Sequence, residues 1–392
     1  MGEVLRQAGF ETWIAGGAVR DILLGRIPHD FDLATAANPD QVEKLFPVTV
    51  SVGKQFGVIV VVEGDLQLEV ATFRGESGYY DGRRPTEIKF VTAEIDAIRR
   101  DFTINAMFLD WRSNAIIDYV GGRQDLKDKL IRTVGTATTR FLEDHLRLLR
   151  ALRFKAQLGF SIEAKTWQAI QANIELLDKI SRERIRQELG KLLTADHVAE
   201  IWDDWSALRL ERHLFASISE FQISVEKVKA VQKIQLTEWS RFFLAAQLSG
   251  QSEQAIRSAV RSLKGSASWE QGVFKNLYWF FQPEDFAKKS LGEVIAMCFD
   301  AELFVGLREW INYSHNQGTA DSETLKKWNL LLARQPKLAP KPLLTAQDFQ
   351  DRFSGPPLGG AIRTAYWIQL EAGELSKEEL MQRTLLHLEA RD

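Results

Sequence analysis

The chain of 392 residues has a single cysteine, and its N-terminus has no long apolar run. The lone Cys298 excludes an internal disulfide and a zinc site built on cysteines. Residues 1–17 have no apolar stretch behind their first charges, so we expect neither a signal peptide nor a membrane anchor there. These absences favour a cytoplasmic protein that does not act at a membrane.

An excess of positive charge is also missing. The chain has 50 Lys and Arg against 53 Asp and Glu, which leaves a formal net charge of -3. Attraction of the whole molecule to a polyanion is therefore excluded, and a nucleic-acid partner would have to meet a local basic surface. With 45% hydrophobic and 26% charged residues, the composition is typical of a folded protein.

Strand patterns are confined to the part of the chain before about Arg132. Short segments rich in β-branched residues end there at Gly, Asp or Asn, namely "ETWIAGG", "FGVIVVVEG", "LQLEVATFR", "EIKFVTA" and "NAIIDYV". Helical patterns such as "AVRDILLG" and "NPDQVEKLF" lie between them. After about Gly135 the apolar residues recur with the period of a helix. The fold class is therefore predicted to be α+β, with a mixed N-terminal region followed by helices.

Two glycines stand at a predicted turn between a strand and a helix. Gly16 and Gly17 allow the backbone to turn tightly and to approach a ligand, and the N–H groups at the start of the helix suit a phosphate. Arg20 lies one helical turn further and would add a positive charge. A plain strand-to-helix turn accounts for the same glycines, so this pattern needs support from neighbouring residues.

Two aspartates follow in "HDFDL". On a strand, Asp30 and Asp32 lie on one face and Phe31 is predicted to point into the core. Carboxylates held in this way repel each other unless a cation lies between them, and hard oxygen ligands suit Mg²⁺. Glu69 on another predicted strand is a candidate third carboxylate. The alternative is a solvated strand edge with an exposed glutamate.

The segment "IRRDFTINAMFLD" combines arginines with an aspartate at a predicted helix start. Asp101 is placed to cap a helix that begins near Phe102. Arg100 has the planar guanidinium that binds ribose or phosphate oxygens through two hydrogen bonds. A solvated pair of charges is the alternative interpretation.

The segment "EDHLRLLRALRF" is predicted to be one continuous helix. Glu143, Asp144 and Arg147 would then share a face, and Arg150 and Arg153 continue along the helix. Ordinary surface ion pairs and the binding of an anionic ligand both remain open. A carboxylate beside a guanidinium also offers an acceptor next to a donor, which matches the pairing edges of cytosine and adenine and not those of uracil and guanine.

Together these motifs resemble a known family, the bacterial tRNA nucleotidyltransferases and poly(A) polymerases of the second class within the polymerase β superfamily. They follow in family order from about Gly16 to Phe160, as "GGAVRD", "DFDLAT", "EVATFR", "YYDGRRP", "RRDFTINAM", "IDYVGGRQDL" and "RFLEDHLRLLRALRF". The segment "SRERIRQELGKLL" resembles the next helical motif of the family. Beyond it the resemblance fades to a general helical pattern.

The resemblance implies a role for each matching residue. It implies that Asp30 and Asp32 hold Mg²⁺, and we place Glu69 with them in the catalytic group as the third carboxylate. It implies that nucleotide is bound by Gly16, Gly17, Arg20, Arg100, Asp101, Asn105, Glu143, Asp144, Arg147, Arg150 and Arg153. Among these, Gly17 and Arg20 would contact the triphosphate, Arg100 would lie near the sugar, and Asp144 with Arg147 would read the base.

The implied fold is a polymerase β-like head with a small β-sheet, followed by all-helical neck, body and tail. We expect these regions at 1–135, 136–205, 206–335 and 336–392, with the nucleotide-selecting helix in the neck and tRNA binding in the tail. The implied reaction adds C, C and A to the tRNA 3′ end from CTP and ATP and releases pyrophosphate. The partners would be the tRNA acceptor end, ATP and CTP, with no membrane, and the oligomeric state stays open.

Related products and other classes of protein are the alternatives. Members of the family that add only A, only CC, or poly(A) share the same motifs. The segment "GESGYYDGRRP" at 75–85 has the full length of the family's flexible loop, which favours a site that also accepts ATP. A glycosyltransferase with an Asp-x-Asp metal site and a non-catalytic RNA-binding module are the rival classes.

Overall fold

The computed structural model of the chain describes residues 1–79, 82, 85–215, 223–288, 290–298, 301–317, 321–333, 341–372 and 375–389. Contacts divide the chain into two units, each described by itself: Met1–Phe221 with Ser262–Lys264, and Gln222–Arg261 with Gly265–Asp392. The middle of the predicted flexible loop, at 80, 81, 83 and 84, lies outside the described residues. So do residues 334–340, which include most of the Pro-containing segment "QPKLAPKP" that the sequence suggests as a linker, and the last residues, 390–392.

The first unit contains all strands of the described residues. They are β1 Thr12–Ala15, β2 Asp32–Thr35, β3 Thr49–Gly53, β4 Val58–Glu63, β5 Leu66–Thr72, β6 Arg74–Tyr79, β7 Pro85–Phe90, β8 Phe108–Asp110, β9 Ala115–Ile117, β10 Leu130–Ile131 and β11 Ser161–Ile162. One sheet has the order β3-β4-β5-β2-β1-β8-β9, while β6 pairs with β7 and β10 pairs with β11. The long sheet carries Asp32 and Glu69, two of the acidic residues predicted above.

Helices of the first unit surround this sheet and then continue beyond it. They are α1 Gly2–Gln7, α2 Gly17–Leu23, α3 Pro39–Leu45, α4 Ala93–Arg99, α5 Gly122–Lys127, α6 Ala137–Glu143, α7 Arg147–Leu158, α8 Ala164–Asn173, α9 Arg182–Leu193, α10 Trp202–Leu208 and α11 Leu210–Leu214. Short 3₁₀-helices occur at Lys54–Phe56, Thr103–Asn105, Ile174–Lys179 and Val198–Ile201.

The second unit is helical throughout its described residues. Its helices are α12 Val225–Val231, α13 Glu238–Leu248, α14 Glu253–Ser262, α15 Ala267–Phe281, α16 Pro283–Lys288, α17 Leu291–Cys298, α18 Ala301–Asn316, α19 Ser322–Ala333, α20 Ala346–Phe349, α21 Pro356–Ala372 and α22 Lys377–Glu389. A core that includes Trp279, Phe286 and Leu307 joins α15–α19 and α21. The predicted α+β class, a mixed head followed by helices, is confirmed. No helix in the described part of the chain is long and apolar enough to cross a membrane.

The sheet is covered on both faces. One face packs Leu33, Val70 and Ile59 against the helices α1 and α3, and the other packs Ala34 and Phe108 toward α4. The strand β2 lies between β1, which is antiparallel to it, and β5, which is parallel to it. The start of β2 therefore lies between β1 and β5, with a neighbouring strand on each side.

The motif "IDYVGGRQDL" has a structural role in this fold. The carboxylate of Asp118 accepts hydrogen bonds from the backbone N–H groups of Val120, Gly121, Gly122 and Arg123 at 2.9–3.1 Å. The α5 helix then begins against the turn Thr103–Asn105. A Cβ at position 122 would lie 2.2 Å from the carbonyl oxygen of Thr103, so only glycine permits this contact.

The predicted continuous helix over "EDHLRLLRALRF" is wrong. The helix α6 ends at Glu143 and α7 begins at Arg147, and the intervening Asp144 has an extended backbone (φ -139°, ψ 104°). Its side chain accepts a hydrogen bond from the backbone N–H of Leu146 at 3.2 Å. An aspartate that bonds its own local backbone in this way competes with helix formation. The backbone N–H of His145 is also diverted, to the carbonyl of Gly82 at 3.1 Å.

Candidate active site

The acidic centre of the site lies at the start of β2. Asp32 is the first residue of this strand and pairs in register with Ala15 of β1 and Glu69 of β5. Asp30 precedes the strand rather than belonging to it. Phe31 is 43% exposed, so the prediction that it points into the core is wrong. Phe31 precedes the strand, so the alternation of strand side chains that would turn it inward does not apply to it.

The charge of Asp32 is opposed by its surroundings. Burial and the neighbouring Glu69 and Asp30 carboxylates raise the pKa of Asp32, and the guanidinium of Arg100 acts in the opposite direction. A cation placed here would relieve this repulsion because it stabilises the ionised forms.

The candidate residues meet around one cavity of about 760 Å³ in the first unit. Almost every predicted site residue lines it: Gly16, Gly17, Arg20, Asp30, Asp32, Glu69, Arg100, Asp101, Asn105, Asp144, Arg147, Arg150 and Arg153. Glu143 does not line the cavity. Its carboxylate instead accepts a hydrogen bond from Arg147 at 2.7 Å and contacts Arg140 at 3.1 Å.

The acidic residues fit a divalent metal that keeps part of its shell for other ligands. Within the described residues, no group of three or more His, Cys, Asp and Glu side chains is arranged to enclose a metal ion. Asp30 and Asp32 instead supply two hard carboxylates at the wall of an open cavity. Mg²⁺ is commonly held by one or two carboxylates together with water and substrate phosphates, so this donor set suits such an ion.

The glycine turn brings backbone close to the acidic centre. Gly16 has φ 71° and ψ -134°, and a Cβ there would lie 3.3 Å from Arg100 Nη1 and 3.9 Å from Asp32 Oδ2. The positive φ and the crowding both favour glycine. Arg20 on α2 donates hydrogen bonds to Asn105 Oδ1 at 2.8 Å and to Asp21 at 2.9 Å. The turn therefore presents backbone and a fixed guanidinium to the same part of the cavity.

The prediction that Asp101 caps an α-helix is wrong. Only a 3₁₀ turn at Thr103–Asn105 follows it, although its carboxylate accepts the backbone N–H of Phe102 at 2.8 Å. Its other oxygen accepts hydrogen bonds from Arg150 at 2.5 and 2.8 Å. Burial acts to raise the pKa of Asp101, but the charge of Arg150 outweighs it and the pKa falls to about 2. Asp101 is thus an ionised partner that fixes Arg150.

Asp144 and Arg147 are both held by protein partners. One nitrogen of Arg184 donates to both carboxylate oxygens of Asp144 at 3.0 Å. Arg147 donates to Glu143 at 2.7 Å, to the carbonyl of Arg140 at 3.0 Å and to the carbonyl of Arg99 at 3.1 Å. Both side chains therefore have fixed positions at the cavity wall.

Two residues on α9, Arg184 and Lys191, also line the cavity and were not predicted as site residues. Their basic run in "SRERIRQELGKLL" looks in sequence like an ordinary solvated helix face. Only the packing of α9 along α7 brings them to the cavity. The sequence contains no signal that separates them from other surface arginines and lysines.

Arg153 is the most deeply buried cation of the cavity wall among the described residues. It lies 3.1 Å from Glu188, which is also buried, and its guanidinium sits 4.3 Å from the ring centre of Phe154. Burial and the nearby charge of Arg150 lower the pKa of Arg153 to about 10. A phosphate in the cavity would therefore offset the mutual repulsion of the Arg150 and Arg153 guanidinium groups.

Comparison with known proteins agrees with this arrangement. Residues 12–132 match the family described as the poly A polymerase head domain, and residues 159–221 match the probable RNA and SrmB-binding site of polymerase A. A sheet with Asp32 at the start of a central strand, Asp30 just before that strand and a glycine turn beside them, in a chain that matches this head domain, defines the class of nucleotidyltransferases.

Individual relatives narrow the class. The chain is 50% identical over 190 residues to a CCA-adding enzyme of Bacillus pumilus, covering 48% of this chain and 47% of that protein. It is 37% identical over 303 residues to a CCA-adding enzyme of Lactobacillus helveticus, covering 74% of each. The crystal structure of a Bacillus stearothermophilus CCA-adding enzyme in complex with CTP is similar with a TM-score of 0.77 and 28% identity, covering 99% of this chain and 97% of that chain.

The chain belongs to the bacterial tRNA nucleotidyltransferase and poly(A) polymerase family, which includes the CCA-adding enzymes. The resemblance predicted from the motifs is thereby confirmed. The matched part spans about half the length of some curated relatives, 47% for Bacillus pumilus and 52% for Lactobacillus delbrueckii. Membership of this nucleotidyltransferase family implies dependence on a divalent metal ion.

Proposed function

We propose that the protein is a template-independent tRNA nucleotidyltransferase that adds C, C and A to the tRNA 3′ end from CTP and ATP. The observation that carries this proposal is the single cavity in which Asp30 and Asp32 face the same space as Asp144 and Arg147. One pair suits phosphoryl transfer and the other suits the choice of a base. A glycosyltransferase would have no use for the second pair.

The chain's own residues divide the work of holding the nucleotide. Gly16, Gly17 and Arg20 accept the triphosphate, and Arg100 lies beside them to contact the sugar or a phosphate. Asp30 and Asp32 would hold Mg²⁺, with Glu69 alongside, and this ion would lower the pKa of the RNA 3′-hydroxyl and stabilise charge on the phosphates. Positioning of the reactants supplies the remainder of the rate enhancement.

Base selection rests on the hydrogen-bond capacity that Asp144 and Arg147 retain. Three of the five N–H groups of Arg147 bond to protein atoms among the described residues, which leaves two that can donate to a base. The Asp144 carboxylate can accept further hydrogen bonds beyond those from Arg184 and Leu146. Cytosine and adenine present an amino donor beside a ring nitrogen acceptor, which complements this pair.

The RNA partner is the tRNA acceptor end in this proposal. Support comes from the match of residues 159–221 to an RNA-binding region and from the likeness to CCA-adding enzymes. We keep the four-part division into head, neck, body and tail at 1–135, 136–205, 206–335 and 336–392 as part of the proposal. A cytoplasmic location follows from the substrates, since tRNA, ATP and CTP meet there.

Primer extension tests the proposed function. A tRNA transcript that ends at the discriminator base is incubated with Mg²⁺ and CTP alone, ATP alone, or both, and the products are resolved to single nucleotides. Growth by two residues with CTP, and by a third only when ATP is added, supports CCA addition. Growth only of a transcript that ends in CC, by one A, makes the protein an A-adding enzyme. A long ladder with ATP alone makes it a poly(A) polymerase, and no growth under any condition contradicts the proposal.

A further inference from the structure

Asp96 is a buried carboxylate that the proposed mechanism does not use. It lies on α4 and is 1% exposed, one helical turn before Arg99 and Arg100. It does not line the nucleotide cavity. A charge this deeply buried is costly unless it is paired, so its partners indicate what it does.

The two oxygens of Asp96 hold two different arginines. Oδ2 accepts hydrogen bonds from Arg100 Nε at 3.1 Å and Nη2 at 2.9 Å. Oδ1 accepts hydrogen bonds from Arg99 Nε at 3.0 Å and Nη2 at 2.6 Å, and from the backbone N–H of Arg74 at 3.2 Å. Burial acts to raise the pKa of Asp96, but the charges of Arg100 and Arg99 outweigh it, so the pKa lies below its usual value.

The first arginine, Arg100, lies on the side of the cavity that carries the acidic residues. With Nε and Nη2 bound to Asp96, the remaining nitrogen of Arg100 donates to the carbonyl of Asn105 at 3.3 Å and lies close to Gly16. The guanidinium is also 5.0 Å from the ring centre of Phe108. Arg100 thereby has a single orientation beside the glycine turn and Asp32.

The second arginine, Arg99, contacts the side of the site where the proposed base-reading Arg147 lies. Arg99 donates to the carbonyl of Arg74 at 2.8 Å as well as to Asp96, which fixes the end of α4 against β6. The backbone carbonyl of Arg99 in turn accepts a hydrogen bond from Arg147 Nη2 at 3.1 Å. A change at Asp96 that displaces Arg99 would therefore also displace the carbonyl that Arg147 bonds.

We propose that Asp96 is a positioning residue that sets the distance and orientation between the sugar-binding Arg100 and the base-reading Arg147. The inference rests on the proposed function, because it assigns those roles to the two arginines. Both side chains must be correct at once for the nucleotide to be selected and aligned, and small displacements of such groups cost activity. The Asp96 carboxylate hydrogen-bonds both Arg99 and Arg100, one with each oxygen.

The variant Asp96→Asn tests the inference, and Asp125→Asn is its matched control. Asp125 is 6% exposed and accepts hydrogen bonds from Arg132 and Thr103, but it does not line the cavity. Each variant loses one buried charge that is paired with arginine. For each we measure the rate of C addition to tRNA, the rate of U misincorporation, and the affinity for CTP with Mg²⁺ and no RNA.

The expected result separates the two variants. Asp96→Asn lowers kcat/KM for C addition at least tenfold and the preference for C over U at least tenfold, whereas Asp125→Asn keeps the preference of the wild type within twofold. Equal preference in both variants and the wild type overturns the inference. If Asp96→Asn does not fold, Arg99→Lys removes the two-nitrogen contact with Asp96 and is expected to lower the preference at least threefold; an unchanged preference there also overturns it.

The binding measurement keeps this test independent of the proposed function. A wild-type protein that extends no RNA contradicts tRNA nucleotidyl transfer, and the affinity for CTP then decides the role of Asp96 on its own. Asp96→Asn is expected to weaken CTP binding at least tenfold and Asp125→Asn to change it less than twofold. The same CTP affinity in both variants overturns the positioning role.

Discussion

Asp32 illustrates at the scale of one residue how the fold prepares a binding site at a local cost. Burial and two neighbouring carboxylates raise its pKa, so the ionised form is less favourable here than in water. A residue that only supported the fold would not gain from this environment. The environment would become favourable with a cation beside the carboxylates, as the proposed metal site requires.

The variant Asp32→Asn is expected to abolish catalysis without harming the fold. Loss of a metal ligand removes several kcal/mol of transition-state stabilisation, which corresponds to a rate decrease of about 10³-fold or more. The melting temperature without metal should stay equal or rise, because like-charge repulsion is removed. Mg²⁺ at roughly ten times its Kd should raise the melting temperature of the wild type by about 3 °C and should not raise that of the variant.

Thermal unfolding with and without Mg²⁺ checks this expectation. Asp65→Asn, on the exposed turn between β4 and β5, is the control and should retain the full Mg²⁺ shift. A shift of the same size in Asp32→Asn would remove Asp32 from the metal site.

Asp101 carries a pH dependence of stability with a definite sign. Its pKa is about 2 in the folded chain and about 3.9 in an unfolded one. A lowered pKa means that the stabilisation is present above the unfolded value and is lost as pH falls toward 2. The shift corresponds to about 2 kcal/mol at neutral pH.

The variant Asp101→Asn should therefore be less stable than the wild type by about 2 kcal/mol at pH 7, and this difference should shrink toward zero near pH 2. Urea unfolding at pH 7, 4 and 2.5 measures it, with Asp65→Asn again as the control. A difference that stays constant over this range would show that the charge of Asp101 is not its cause.

At the scale of elements, the turn between β1 and α2 joins two requirements at Gly16. The backbone adopts a positive φ, and a Cβ would crowd Arg100 and Asp32. Gly25, at the far end of α2, has a similar φ of 69° but open space around a Cβ. Comparing substitutions at the two glycines therefore distinguishes the effect of the positive φ from the effect of crowding in the site.

The variants Gly16→Ala and Gly25→Ala should both lose about 1 kcal/mol of stability, since each places a side chain at positive φ. Only Gly16→Ala should also weaken CTP binding and turnover, by tenfold or more, because its methyl group displaces the Arg100 guanidinium. Melting temperatures and CTP titrations of the pair give the comparison. Equal loss of CTP affinity in both variants would contradict a close approach of nucleotide at Gly16.

The elements also show where sequence patterns stop being informative. The strands around "FGVIVVVEG" and "LQLEVATFR" follow from β-branched composition, and they form β4 and β5 as predicted. The break between α6 and α7 could not be predicted, because helical periodicity continues across it. It depends on the local bond of the Asp144 side chain and on the contact of His145 with Gly82, which is distant in sequence.

On the scale of the whole molecule, the chain contains two units with separate cores. Leu307 is fully buried in the core of the second unit, and Leu5 is fully buried in that of the first. Removing a buried leucine side chain costs about 2–5 kcal/mol. Replacing one of these leucines by alanine at a time therefore tests which activities depend on which unit.

The variant Leu307→Ala is expected to lower the stability of the second unit and to leave CTP affinity within twofold of the wild type, while extension of tRNA decreases. Leu5→Ala should weaken CTP binding and destabilise the first unit. Differential scanning calorimetry with CTP titration and primer extension measures all three quantities. If Leu307→Ala weakens CTP binding as much as Leu5→Ala does, the two units do not act separately in nucleotide binding.

The sequence by itself determined the fold class, the family and the identity of most residues around the cavity. These follow from local patterns, such as glycines before a helix, alternating carboxylates and short β-branched runs, whose physical cause lies within a few residues. The tertiary structure alone decided that Phe31 is exposed and that Glu143 supports Arg147 from outside the cavity. It also decided that Asp96 holds Arg100 and that Arg184 holds Asp144. Those relations join residues on different strands and helices, and packing rather than local sequence brings such residues together.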